Sequence, residues 1–224
     1  MPKPTRSSER RDDALSRERI VDAAIALLDD DGEDGLTFRA LATRLETGAG
    51  AIYWHVANKN ELLVAASDAI VTRALGDVAS CGTPHETIRS VALCLFDTID
   101  AHPWLGTQLS RAPWETATLR VFERIGHQLQ ALAVKADAQF ASACALLSYI
   151  IGVSSQNAGN GLLLDPSLSR TEFLETVAAK WQQLDAQEFP FTRQIAATQL
   201  RDHDDRADFL AGLELILAGI AAAL

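Results

Sequence analysis

Residues 48–63 read GAGAIYWHVANKNELL, with Tyr53, Trp54 and His55 side by side directly after a run of small residues. Neighbours on a helix point about 100° apart, so three large side chains in succession do not share one core face. Those left outside are free to bind something, although a plainer reading has all three knitting adjacent helices together. Enzymatic constellations are poorly represented. There is no GxSxG, P-loop or HExxH, and no GxGxxG after a strand. His85 and Glu86 adjoin but lack a second ligand at useful spacing. Cys94 and Cys144 lie in apolar stretches typical of inert buried thiols. With Cys81 they form no CxxC pair and have no histidines at zinc spacing, the pattern of a reduced, cytoplasmic chain. Neither catalysis nor a metal or cofactor is expected.

The chain that must position these residues has 224 of them, 48% hydrophobic, enough for a large packed core. Its formal net charge is −10, an unpromising total for a nucleic-acid binder. The distribution matters more: residues 1–60 carry 9 Lys/Arg against 11 Asp/Glu, and residues 61–224 carry 11 against 19. The opening MPKPTRSSERRDDALSRE has no apolar core and is not expected to act as a signal peptide. The greasiest segment, Leu210–Leu224, is 15 residues long and contains Glu214, short of the roughly 20 apolar residues that span a bilayer. No membrane association is expected.

Capping signals divide the chain into helices. Ser16 caps a first helix carrying Ile20, Ala24, Leu27 and Leu28, which ends in LLDDDGEDG at Gly32 or Gly35. Asp29–Asp31 reads there as a solvated helix end. Thr37 caps a short second helix with Leu41, Ala42 and Leu45 inward. Asn58 and Glu61 are spaced as an N-cap and its reciprocal acid, opening a helix to about Leu75. Thr83-Pro84-His85-Glu86 starts another that stops before His102-Pro103. Pro113 opens one carrying Leu119, Phe122, Leu129 and Leu132. Asp137 caps a long apolar one, Ser169 with Glu172 begins a further helix, and the last starts near Asp205. Only YIIGV, inside the Asp137 helix, is ambiguous with a strand. The chain reads as all-α, and the Thr37–His55 segment has the proportions of a helix-turn-helix. Residues 138–155 and 209–224 are apolar nearly all round with small residues interleaved, so part of their burial is expected from a second copy of the chain.

LTFRALATRLETGAGAIYWHVANKNELL, Leu36–Leu63, closely resembles the DNA-binding motif of the tetracycline-repressor (TetR) family of bacterial transcriptional regulators. The features shared are the LT start, Arg39, Leu41-Ala42, a glycine-containing turn and YWHVxNKxxLL. The C-terminal FLAGLELILAGI is similar to ends found in the tetracycline-repressor branch. Similarity is strong over residues 14–75 and moderate over 190–222. The middle matches only in outline.

The resemblance implies a mobile basic arm over 1–13, a three-helix DNA-binding domain over 14–62 and a larger helical effector-binding and dimerisation domain over 63–224. Its recognition helix is Ala49–His55, entering the major groove N-terminus first. Ala49, Gly50 and Ala51 let the backbone approach DNA, and Ala51 suits a thymine methyl. Tyr53, His55 and Lys59 suit phosphate oxygens, Arg39 a base edge, and Thr37 the backbone. Trp54 either packs under the helix or lies against the sugar–phosphate edge. Arg39, Arg44 and Lys59, with the arm's Lys3, Arg6, Arg10 and Arg11, form the basic patch.

The resemblance thus implies a homodimeric repressor that binds a near-palindromic double-stranded operator and is released by a small-molecule effector of unknown identity. Candidate effector contacts are Phe96, Trp104, Trp114, Phe122, Tyr149, Gln156, Asn157 and Asn160. No histidines match the magnesium–drug site of the tetracycline repressor, so tetracycline itself is not implied. The alternative is a helical protein-interaction module of the same fold without effector response.

Overall fold

The computed structural model describes residues 15–76, 78, 82–111, 114–163 and 168–222. The expected arm over 1–13, Cys81 and the helix start at Pro113 lie outside the described residues. Within them the chain forms eleven α-helices, one 3-10 turn and no strand; YIIGV is helical.

The first four helices follow their capping residues closely. Ser16 accepts from the Arg19 N–H at the start of α1, Arg17–Gly35, which breaks at Gly32, where φ is 68°. Thr37 caps α2, Phe38–Arg44, through the Ala40 N–H. The next helix, α3, is Ala49–Tyr53; Trp54 is its C-cap, so it stops short of His55. Asn58 caps α4, Lys59–Gly76, but Glu61 reaches back to the Ala57 N–H at 2.8 Å, one residue before the expected partner. The boundary expected at 62/63 falls inside α4, whose Leu62, Leu63, Ala66 and Ile70 are all buried. This helix packs on α1 and also on the helices beyond it.

The larger part begins with α5, Pro84–Ala101, held by a complete Thr83–Glu86 capping box and burying Ile88, Val91, Leu95, Phe96 and Ile99. Pro103 opens a further short helix, α6, Pro103–Arg111. The sequence reading took that proline as a stop alone, yet the first helical turn also tolerates it. Helix α7, Thr116–Ala131, turns Ala117, Val121, Ile125 and Leu129 inward. Leu119, two residues from both Ala117 and Val121, lies on nearly the opposite side of the helix and is exposed. Helix α7 ends on Ala133 at φ 60°, with Val134 N–H bonded to Leu129 and Ala133 N–H to Gln130, the paired closure usually made by glycine.

Helix α8, Ala136–Leu163, is the central element, packed against α5, α6, α7 and the last helix. Asp137 lies in its first turn instead of capping it. By length and composition Ala136–Leu162 is the one described helix able to cross a membrane; here it forms the middle of the helical core. Helices α9, Arg170–Gln182, and α10, Pro190–Thr198, pack on each other and on the 3-10 turn Leu200–Asp202. Helix α11, Asp205–Ala222, docks through Phe209, Leu213 and Leu217. The Phe209 ring lies between Phe96 and Tyr149, with centroids at 4.7 and 5.6 Å. Glu214 pairs with Arg89 at 3.1 Å and His85 at 3.0 Å.

Two glycines set close helix approaches. A Cβ on Gly106 would meet Ser155 Cβ at 2.9 Å, and one on Gly212 would meet Tyr149 Cζ at 2.7 Å. Gly106→Ala therefore forces α6 away from α8 and is expected to destabilise the fold by about 1–3 kcal/mol in chemical denaturation. Ala133→Gly relieves a left-handed alanine and is expected to stabilise by up to about 1 kcal/mol. Hydrogen bonds to the Thr83 N–H and hydroxyl hold the Glu86 carboxyl below its ordinary pKa of 4.5, and those from Ser169 lower Glu172. A lowered carboxyl stabilises fully above the unfolded value and loses that contribution as pH falls through the folded one. Melting of wild type and Glu86→Gln at pH 7 and pH 3 is expected to show the variant weaker at neutral pH, with the gap closing in acid.

Candidate nucleic-acid interface and ligand cavity

A five-residue helix is not stable alone, so α3 depends on what it is pinned against. Ile52 and Val56 are fully buried beneath it, beside Leu41 of α2. The turn before it closes α2 with two paired bonds, Glu46 N–H to Thr43 and Thr47 N–H to Ala42 at 3.0 Å. Glu46 takes a left-handed conformation, φ 51°, to make them. This fixes how α3 stands on α2.

The three adjacent large side chains then separate. Tyr53 stacks flat on Phe38, centroids 4.2 Å apart and planes within 4°, which braces α3 while leaving the phenol half exposed. Trp54 is 90% exposed, so it does not pack under the helix. His55 is half-buried just past the helix end. Gly48 and Gly50 face open space, with nothing within 4 Å of an added Cβ. No internal contact accounts for their small size. Ala49 and Ala51 flank them.

Helix α2 presents Thr37 and Arg39 beside this surface. Thr37 Oγ1 accepts from Ala40 N–H at 3.1 Å. Arg39 is exposed, and its guanidinium makes no hydrogen bond or ion pair with any described residue. The other two cations of the expected patch are engaged within the chain. Arg44 pairs with Asp30 at 2.8 Å, and Lys59 Nζ donates to the Glu33 carbonyl. Glu61 adds little negative field, because Arg17 pairs with it at 2.9 Å. The Ala57 N–H first, then Arg17, holds its carboxyl below the ordinary range.

Asp29, Asp30 and Asp31 at the acidic end of α1 are all exposed, in keeping with a solvated helix end. Asp29 is in addition held from across the chain: His102 Nδ1 lies 2.7 Å and Trp104 Nε1 2.8 Å from its Oδ1. Glu33 accepts from Gln108 at 3.1 Å and Arg111 at 3.0 Å. Four groups on or beside α6 thus grip two carboxylates of α1 and join the small N-terminal unit to the larger one. Asp29 and Glu33 are four residues apart, and Trp104, Gln108 and Arg111 recur at helical spacing, with His102 just before them. That signal was present, but only after the His102-Pro103 step is read as the start of a helix.

A cavity of about 760 Å³ opens between α5, α8, α9 and the segment 200–206. Four of the expected effector contacts, Phe96, Gln156, Asn157 and Asn160, line it. Asp100, Phe173, Trp181 and His203 join them. The other four lie elsewhere. Trp104 is committed to Asp29, Trp114 is exposed, and Phe122 meets Phe140 edge-on at 6.1 Å. Tyr149 donates to the Phe209 carbonyl at 2.9 Å; burial and, less so, Asp208 push its phenol pKa up. A second cleft of about 940 Å³ lies between α4, α5 and α7, lined by Leu119, Arg120, Arg124 and His127 among others and without a Phe, Tyr or Trp. Among the described residues no group of three or more His, Cys, Asp or Glu side chains is placed to hold a metal ion.

Known proteins share both halves of this arrangement. The family description "Bacterial regulatory proteins, tetR family" matches residues 20–66, and "Tetracyclin repressor-like, C-terminal domain" matches residues 81–224. An HTH-type transcriptional regulator of Saccharopolyspora erythraea is 30% identical over 214 residues, covering 93% of this chain and 85% of that protein. The transcriptional regulator SCO7222, a TetR from Streptomyces coelicolor, superposes with a TM-score of 0.83 at 51% identity, covering 94% of this chain and 99% of that one. The Streptomyces coelicolor TetR family protein ActR, in complex with (S)-DNPA, superposes with a TM-score of 0.73 at 25% identity, covering 93% and 98%.

The division between bracing and exposed residues is directly measurable. Ile52→Ala removes the buried anchor of α3 and is expected to cost about 2–5 kcal/mol in urea unfolding. Trp54→Ala at the exposed neighbour is expected to stay within about 0.5 kcal/mol of wild type.

Proposed function

The chain belongs to the tetR family of bacterial regulatory proteins, and on that premise we propose that it is a dimeric repressor released from a near-palindromic operator by a small molecule. It is a transcriptional regulator with a DNA-binding helix-turn-helix, and its relatives are regulators, not enzymes. The observation that carries the finer reading is the surface of α2 and α3. Two glycines without an internal role and an exposed indole, on and beside α3, and an uncommitted guanidinium on α2 are all open to solvent.

On this reading α3 enters the major groove, with Ala49, Gly50 and Ala51 bringing backbone close to base edges and Arg39 supplying the strongest hydrogen-bonding contact. Tyr53, His55, Thr37 and the Lys59 ammonium meet phosphates, and Trp54 lies against the backbone edge. With Arg44 and Lys59 both tied to α1, fewer cations face DNA than the sequence count suggests, so DNA shape supplies part of the specificity.

Dimerisation accounts for the uncovered faces of α8 and α11. Ala141, Ala145, Ser148 and Gly152 are exposed on α8, and Ala211, Leu215, Ala218, Gly219 and Ala222 on α11. Leu215 is 77% exposed. A two-fold stack of these helices against a second copy buries both stripes and spaces two recognition helices for successive grooves.

The effector site assigned here is the cavity between α5, α8 and α9, where three aromatic rings and three amides converge. Its floor is α5, which leads through His102 into α6 and so to Asp29 and Glu33. An effector that favours one α5–α6 arrangement reorients α1 and, with it, α3; differential affinity for the two states is what drives release.

The test is selection of bound sequences from random DNA with purified protein at two salt concentrations. An enriched palindrome supports the reading, while a folded dimer that enriches nothing overturns it in favour of an interaction module. On the selected operator, Arg39→Ala is expected to lose about 1–3 kcal/mol of affinity with fold and dimer intact.

A further inference from the structure

The effector cavity has a charge pattern that narrows its ligand, an inference that rests on the cavity assignment above. Its charged lining residues include the carboxylates Asp100, Asp204 and Asp205 against the guanidiniums Arg170 and Arg206. Asp208 lines the adjoining recess.

Both cations are already spent. Arg170 pairs with Asp205 at 2.5 Å, and Arg206 pairs with Asp97 outside the lining. His203 lies between Asp205, at 2.9 Å, and Asp208. Asp204 accepts from the Arg206 and Ala207 N–H groups at the start of α11, at 3.0 and 2.9 Å. This inventory leaves Asp100, which is touched only by the Asn157 amide at 3.0 Å.

Four helix ends reach this space: the starts of α9 at Arg170 and of α11 at Asp205 have their N–H groups capped by Ser169 with Glu172 and by Asp204, which leaves the two C-terminal ends as the ones not offset by an opposite charge. Asp100 lies in the last turn of α5, and Asn160 and Gly161 in the last turn of α8. Both are C-terminal, partially negative ends, and neither carries a basic residue in that turn. Phe96, Phe173 and Trp181 add aromatic rings to the same lining, and aromatic rings attract cations to their faces. Gln156 and Asn160 have no partner among the described residues and orient polar substituents.

We propose that the cavity binds a planar aromatic ligand carrying a positively charged amine, with the Asp100 carboxylate as its counter-ion. An anionic ligand of the same shape meets two negative helix ends, an unmatched carboxylate and no free cation.

The test uses the full chain without DNA and three matched probes: 2-naphthylmethylamine, which is a cation at neutral pH, neutral 2-naphthylmethanol, and anionic 2-naphthoate. Calorimetric titration is expected to show the amine binding about tenfold tighter than the other two. In Asp100→Asn, with an unchanged circular dichroism spectrum, its affinity is expected to fall to that of the alcohol. Equal or tighter binding of naphthoate, a preference that survives Asp100→Asn, or no binding of any probe overturns the proposal. Operator release, read by gel shift with the same probes, is a separate arm. Amine preference without release keeps the ligand class and overturns the effector role, whereas release by naphthoate alone does the reverse.

Discussion

The grip of α6 on the end of α1 is the interaction on which the rest of the molecule turns. Two carboxylates, Asp29 and Glu33, meet an imidazole, an indole N–H, an amide and a guanidinium, all from His102–Arg111. The same short helix is pressed onto α8 at Gly106, where no larger residue fits without a shift. It therefore has little freedom to slide relative to the core, and α1 follows it. Surface ion pairs taken singly contribute little. Here their effect is geometric: four donors on one rigid element define an angle between two units that share the continuous helix α4.

The recognition surface uses a different economy. Helix α3 has two buried anchors, Ile52 and Val56, and one stacked ring, Tyr53 on Phe38. Ala49 and Ala51 are half-buried and Gly50 is exposed. The left-handed Glu46 in the preceding turn is a conformation that L-residues adopt reluctantly. It is held by a paired backbone closure, which fixes the direction in which α3 leaves α2. A short helix with a strained entry and few anchors is well defined in orientation without being large.

Much of this was legible in the sequence because helix starts are chemically marked. Ser16, Thr37, Asn58, Thr83 and Ser169 all cap helices where their spacing to an acid or an apolar run says they do. Two helices were missed, α6 and α10, and each begins at a proline that also reads as a stop. Of the apolar residues that mark α7 in the sequence, Leu119 lies off the buried stripe, whose members include the polar Thr118. The partners that hold the acidic turn of α1 were not foreseen, since they stand more than seventy residues away in the chain. Their spacing becomes readable only once Pro103 is taken as the start of a helix. Half of the expected effector contacts converge on one cavity because Gln156, Asn157 and Asn160 share one turn of α8. Of the remaining aromatics, Trp104, Phe122 and Tyr149 are taken up by packing or hydrogen bonding and Trp114 is exposed, which composition does not distinguish from a pocket.

Gly48 and Gly50 have a consequence of another kind. Neither is required by a turn, a positive φ or a tight neighbour, since an added side-chain carbon meets nothing at either site. No internal neighbour constrains residues there, and on the proposed reading the constraint comes from the DNA that α3 enters. Such positions drift in evolution without a stability penalty from internal packing, so a duplicated copy of this regulator can change its target sequence in small steps while the scaffold beneath stays untouched.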